Sequence, residues 1–159
     1  MPIDEELRIE PAAAEDIPVL AELLALLFAI ERDFAPAADR QRRGIELLLL
    51  QPDTRAAVLV GRRGDGRAIG MVSAQLVIST AEGAASAWIE DVVVHPDYRG
   101  RGLGGRLLRA ALDWAARQGA TRAQLLADRT NRAALGMYRH LGWRSTRLGA
   151  WRVPLSDRA

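Results

Sequence analysis

Leu20, Leu23, Leu24, Leu27 and Phe28 recur at intervals of three and four, which lines them along one face of an α-helix. Asp16 stands at the start of that helix as its cap. Pro18 falls in the first turn, where a missing N–H costs little. A second helix is expected from about Asp39 to Leu50, stopped by Gln51-Pro52. Four shorter runs read as strands: Leu7 to Glu10, Ala56 to Gly61, Ala68 to Thr80 and Ala87 to His95. The glycine-rich segment Arg62-Arg63-Gly64-Asp65-Gly66-Arg67 turns one strand into the next, and Ala81 to Ala85 makes another turn. After His95 the pattern alternates between strand and helix. Leu103, Leu107, Ala110, Ala111 and Trp114 share a helix face, and Gly119 ends that helix. Thr121 to Asp128 reads as a buried strand. Asn131 caps a short helix with Ala134, Tyr138 and Leu141 on one stripe, and Gly142 ends it. Trp143 to Pro154 is expected to supply a last strand. The order predicts a mixed α/β fold: an antiparallel meander, then a β-α-β unit with a parallel pair and a right-handed crossover.

Composition narrows the class. The chain has 159 residues, 49% apolar and 26% charged, which suits one globular domain over residues 1–159. The longest apolar run, Leu20 to Ile30, is interrupted by Glu22 and is too short to span a bilayer. The acidic start, Met1-Pro2-Ile3-Asp4-Glu5-Glu6, lacks the features of a secretory leader, so a cytoplasmic protein with no membrane partner is expected. There is no cysteine, which leaves no disulfide, thiolate nucleophile or cysteine metal site, and no metal is expected. All 22 basic residues are arginines, and the net charge is +2. The charges are uneven. Residues 1–91 carry 9 Arg and 16 Asp or Glu, while residues 92–159 carry 13 Arg and 4 Asp or Glu. The second half is prepared for an anion or pairs with the first. Its arginines are interleaved with glycines and apolar residues rather than gathered on one helix face with aromatics, so no nucleic-acid partner is expected.

One stretch carries most of the chemistry. From Ala87 to Leu108 a strand enters a loop with Gly100, Gly102, Gly104 and Gly105 and then passes directly into a helix. Glycines let backbone N–H groups approach a ligand closely. A helix start adds unpaired N–H donors and the positive end of the dipole, so this is a site for phosphate or pyrophosphate. Arg99, Arg101 and Arg106 add charge. A Walker loop is excluded because the chain has no lysine. Gly100-x-Gly102-x-x-Gly105 matches the dinucleotide fingerprint, but it follows several hairpin strands instead of opening the first βα unit.

The segment resembles the GNAT superfamily of N-acetyltransferases, whose acetyl-CoA signature Arg/Gln-x-x-Gly-x-Gly/Ala is matched by Arg99-x-x-Gly102-x-Gly104. Val92-Val93-Val94-His95-Pro96 is similar to that family's cofactor-pairing strand. Asn131, Ala134, Tyr138 and Gly142 match a second motif, Asn-x-x-Ala-x-x-x-Tyr-x-x-x-Gly-Phe, with Trp143 in place of the phenylalanine. The resemblance covers nearly the whole chain. It implies a mostly antiparallel sheet whose parallel pair splays around the CoA site, with about four helices. It also implies that backbone groups of Val92, Val93 and Val94 pair with the pantetheine arm. N–H groups from Arg99, Gly100, Arg101, Gly102, Leu103, Gly104 and Gly105 would cradle the pyrophosphate. Asn131 would hold the far end of the pantetheine or order its loop. Tyr138 would protonate the leaving thiolate.

The implied activity is transfer of the acetyl group of acetyl-CoA to a primary amine of a small molecule, by direct attack. Homodimers are expected among the assemblies. Acetylation of a protein amine and a non-catalytic acyl-CoA sensor remain alternatives. Attack requires a neutral amine, so a base helps, and a strand N–H, from Val92 or Val93, would stabilise the oxyanion. Glu90 and Asp91 are the candidate bases, since adjacent carboxylates are costly in a half-buried strand unless used or paired. Alternation puts them on opposite faces, with Glu90 on the face of Val92 and Val94 unless a bulge reverses the order. His95 and His140 read as loop and surface residues. The resemblance implies that the connection carrying Glu31, Asp33 and Phe34 borders the acceptor pocket, where the acidic residues would hold a cationic amine or form a solvated loop. Trp88 and Trp151 wall the pocket or pack.

Overall fold

A computed structural model describes residues 7–31 and 35–156. Asp33 and Phe34 lie outside the described residues. The chain divides into two compact units, one through Leu125 and one from Leu126 onward.

The first unit is a five-stranded sheet in the order β1-β2-β3-β4-β5. Its strands are β1 (Arg8–Pro11), β2 (Ala56–Arg62), β3 (Ala68–Ser79), β4 (Ala84–Val94) and β5 (Ala120–Leu125). All neighbours are antiparallel except β4 and β5, which are parallel. Three helices accompany the sheet: α1 (Ile17–Ile30), α2 (Ala38–Leu49) and α3 (Leu103–Arg117). The apolar stripe of α1 packs with Ile45 of α2 against Val58, Val60, Ala68, Met71 and Val93 on one face of the sheet. The other face receives α3. Gly61 and Gly70 lie beneath it, and a Cβ on Gly70 would stand 3.0 Å from Leu107 and 3.2 Å from Leu103. Glycine there lets the helix approach the sheet closely.

Asp16 precedes α1, but its carboxylate does not bond the α1 amides as a cap would. It accepts from the Ala13 N–H at 2.8 Å and from Arg62 Nη2 at 2.6 Å. Arg62 also donates to Glu10. This buried network ties β1 and the start of α1 to β2. Burial pushes the Asp16 carboxyl up, but the hydrogen bonds from Arg62 and Ala13, together with the Arg62 charge, outweigh it and hold the pKa below the usual carboxylate value.

The second unit carries α4 (Arg132–His140). Asn131 caps it as expected: its Oδ1 accepts from the Ala134 N–H at 3.1 Å. Gly142 then turns the chain with φ +88°. The strand expected over Trp143 to Pro154 does not form, and this segment is irregular. It has no strand to pair with in the five-stranded sheet, and Leu148, Trp151 and Val153 are exposed. Trp151, 98% exposed, neither walls a pocket nor packs. The strand expected over Thr121 to Asp128 is shorter than its pattern, ending at Leu125, and it is only partly buried.

Candidate active site

The site is built on β4. Strand β5 pairs with β4 from Ala85↔Ala120 to Ile89↔Leu125. Strand β4 then runs on from Glu90 to Val94 beyond the last β5 partner. Backbone groups of this stretch on the β5 side, Val94 O apart, therefore have no strand partner in the sheet, the edge to which an extended ligand can add itself as a strand.

A bulge lies in the same stretch. On the β3 side Met71 faces Val93 and Ser73 faces Glu90, so Asp91 and Val92 together oppose Val72. Asp91 has φ +56° and is the one described non-glycine residue in the left-handed region. Aspartate is among the few residues that tolerate it. The bulge breaks the alternation expected from the sequence. Glu90 and Val93 face Ser73 and Met71, which are two apart on β3, so Glu90 shares a face with Val93 and not with Val92.

The two carboxylates consequently differ. Glu90 is exposed and accepts a hydrogen bond from Trp88 Nε1 at 2.8 Å. Asp91 is partly buried, and its Oδ2 accepts from Ser73 Oγ at 3.0 Å. Burial raises the Asp91 carboxyl, the Ser73 bond lowers it and the Glu90 charge raises it, with the result pushed up to about 6. A carboxyl near that value is mostly ionised at neutral pH yet a stronger base than an ordinary carboxylate, which suits a group that must take and release a proton. Ser73 was not singled out from the sequence, although a hydroxyl inside the apolar run Met71 to Ala74 was the available sign.

Beyond β4, Pro96–Tyr98 make a single 3₁₀ turn that His95 caps by accepting from the Asp97 N–H at 3.3 Å. Gly100 (φ +73°) and Gly102 (φ +79°) then swing the loop into α3. Arg106 makes the first helical bond, to Gly102 O. The N–H groups of Leu103, Gly104 and Gly105 precede it and form the open donor end of the helix. Arg99 does not project freely. Its Nε donates to Val94 O at 2.9 Å and pins the loop to the strand end. Arg101 lies over the Tyr98 ring, with 5.9 Å to the centroid. Arg63 donates to the Tyr98 hydroxyl at 2.6 Å. Arg106 donates to Leu7 O at 3.2 Å, so it serves in joining α3 to the start of β1.

Within the second unit Tyr138 is half-buried on α4, its ring 6.1 Å from that of Trp143 and tilted to it. Glu31 closes α1, and His140 is exposed. Among the described residues no group of three or more His, Asp or Glu is placed to hold a metal ion, and no helix is long and apolar enough to cross a membrane.

The profile of the acetyltransferase (GNAT) family matches residues 22–143. The chain belongs to this family. It is similar to the N-alpha-acetyltransferase RimI of Mycobacterium tuberculosis, with 32% identity over 87% of this chain and 79% of that one. It is also similar to streptothricin acetyltransferase of Streptomyces lavendulae, with 35% identity over 57% of this chain and 45% of that one. The chain spans less than half the length of two of the curated relatives it matches. A crystal structure of a possible acetyltransferase from Clostridium difficile 630 shares the fold, with a TM-score of 0.81, 17% identity and 95% of this chain and 99% of that one covered. GNAT membership fits what β4 and the glycine loop present: an open strand edge, a donor-rich helix start and a carboxylate at the bulge.

Proposed function

We propose that this protein transfers the acetyl group of acetyl-CoA to a primary amine of a small molecule. The observation that carries the reading is the β4 bulge, which sets the Asp91 carboxyl where β4 has just parted from β5. The open edge from Val92 to Val94 suits the amide groups of a pantetheine arm. Arg99 already occupies Val94 O and Val93 is turned toward Met71 of β3, so Val92 and the Val94 N–H carry most of that pairing. The N–H groups of Gly102 to Gly105, with Arg101 beside them, suit a pyrophosphate.

Asp91 is assigned as the base that takes the proton of the attacking ammonium, directly or through a water. This moves the role one residue along from Glu90, because the bulge leaves Glu90 exposed and bonded to Trp88. Glu90 instead raises the Asp91 pKa through its charge. Ser73 holds the Asp91 carboxyl by its hydroxyl. Tyr138 is assigned by its motif position as the acid that protonates the departing thiolate, and Asn131 as the cap that orders α4. The backbone N–H of Val92 would stabilise the oxyanion.

A second reading, acetylation of a peptide α-amine, is favoured by the 32% identity to an N-alpha-acetyltransferase along 87% of this chain. A panel of small amines and short peptides, assayed for free thiol released from acetyl-CoA, separates the two. Thiol release with a small amine and not with peptides supports the leading reading. Release with peptides alone supports the second. No release with any amine, in protein that binds CoA, overturns both.

A further inference from the structure

On the α1 face of the sheet lies a cavity of about 290 Å³ that the transfer chemistry does not use. Val19, Leu23 and Leu26, which recur along one stripe of α1, make its apolar wall with Ala68 at the start of β3. Ala68 belongs to the core packed by α1, whereas Gly61 and Gly70 face Leu103 and Leu107 of α3. The cavity therefore lies on the opposite face of the sheet from α3.

Three polar side chains complete the lining: Glu22 from α1, Arg67 from the β2–β3 turn and His95 from the end of β4. Glu22 and Arg67 carry opposite charges on one cavity, yet no ion pair joins them and neither has another side-chain partner among the described residues. His95 accepts the Asp97 N–H on Nδ1. A neutral imidazole bonded in that way keeps its proton on Nε2, which is then a donor.

We infer that this cavity binds a free α-amino acid with an apolar side chain. A zwitterion answers both unpaired charges at once. Its carboxylate meets the Arg67 guanidinium, which suits a planar two-oxygen acceptor, with the His95 N–H as a further donor. Its ammonium meets Glu22, and its side chain covers Leu23 and Leu26. At roughly 30 Å³ per small group, the cavity has room for about ten non-hydrogen atoms, the size of leucine.

The test is binding of L-leucine by calorimetry in the absence of acetyl-CoA, so it does not depend on the transfer reaction. Saturable binding with a Kd at or below about 1 mM is expected. Removing one charged hydrogen-bonding partner should weaken it by roughly tenfold or more. That holds for 4-methylpentanoate, which lacks the ammonium, for isopentylamine, which lacks the carboxylate, and for leucine with Glu22→Gln or Arg67→Gln. Both substitutions fall on exposed side chains, and circular dichroism checks that the variants are folded. No saturable binding of leucine overturns the inference. So does binding that survives both substitutions, or binding that is lost in Asp91→Asn instead, which would seat the amino acid at the transfer site.

Discussion

Ser73 Oγ donates a hydrogen bond of 3.0 Å to Asp91 Oδ2 across the β3–β4 bulge. This contact joins a buried hydroxyl on one strand to a carboxyl whose own backbone is in the left-handed region. It stabilises the charged form of Asp91 against burial, which is the larger influence and leaves the pKa at about 6. Replacing Ser73 by alanine removes that support. The lower limb of the pH–rate profile should then move to higher pH, while CoA affinity is unchanged. A profile that stays in place would mean that Ser73 does not act on Asp91.

Glu90 acts on the same group with the opposite sign. Its charge raises the Asp91 pKa, so Glu90→Gln should move the lower limb to more acid pH and leave the plateau rate close to wild type. A large loss of rate on the plateau would instead return the base to Glu90. Rate measurements between about pH 4.5 and 8 span the values involved.

Asp91 should also cost stability at neutral pH. The folded carboxyl keeps its proton up to about pH 6, whereas an unfolded aspartate releases it near 3.9. Between those values the folded state binds more protons, so stability falls as pH rises through that window. Asp91→Asn keeps a side chain that tolerates the left-handed backbone and removes the charge. It should raise Tm at pH 7, and the gain should fade at about pH 4. An equal effect at both pH values would show that the carboxyl is not perturbed.

The buried Arg62 network behaves the other way. Asp16 has a lowered pKa, so its contribution is present above the unfolded value and is lost as pH falls through the lowered folded value. Arg62→Gln leaves Asp16 buried without its cation and should cost about 3 kcal/mol, near the lower end for breaking a buried pair. Denaturant unfolding at pH 7 measures it. A cost under about 1 kcal/mol would mean that the pair is as weak as one on the surface.

Tyr138→Phe should lower turnover by roughly 100-fold or more while leaving acetyl-CoA binding intact, because the hydroxyl is needed only as the thiolate departs. Turnover within about threefold of wild type would leave Tyr138 as a partner of the Trp143 ring and give the proton to water.

Much of this architecture was legible in the chain. The α1 stripe, the glycine turn, the loop into α3 and the Asn131 cap each follow from local chemistry: helical spacing, left-handed glycines, an Asx side chain before a helix. What could not be read depends on strand partners. The bulge at Asp91 exists because β3 and β4 shift register by one residue, and no spacing within β4 announces that. Alternation consequently favoured Glu90. The same limit explains the strand expected over Trp143 to Pro154, where apolar residues are present and a ladder is not. Arg99 shows a third kind of gap. Its place in the signature points to phosphate, and its Nε also bonds to Val94 O, five residues back, a contact that only the folded loop shows.

The most direct test of the account is the pH dependence of kcat/KM for acetyl transfer, wild type against Asp91→Asn, with an amine that supports thiol release. With Asp91 as base, the wild-type rate should climb through about pH 6 and then level off. The variant should start far lower and keep rising roughly tenfold per pH unit toward the amine's own pKa, about 10.4 for a lysine-like acceptor, so that its deficit shrinks with pH. Two parallel profiles, or a variant as fast as wild type at pH 7, would contradict it.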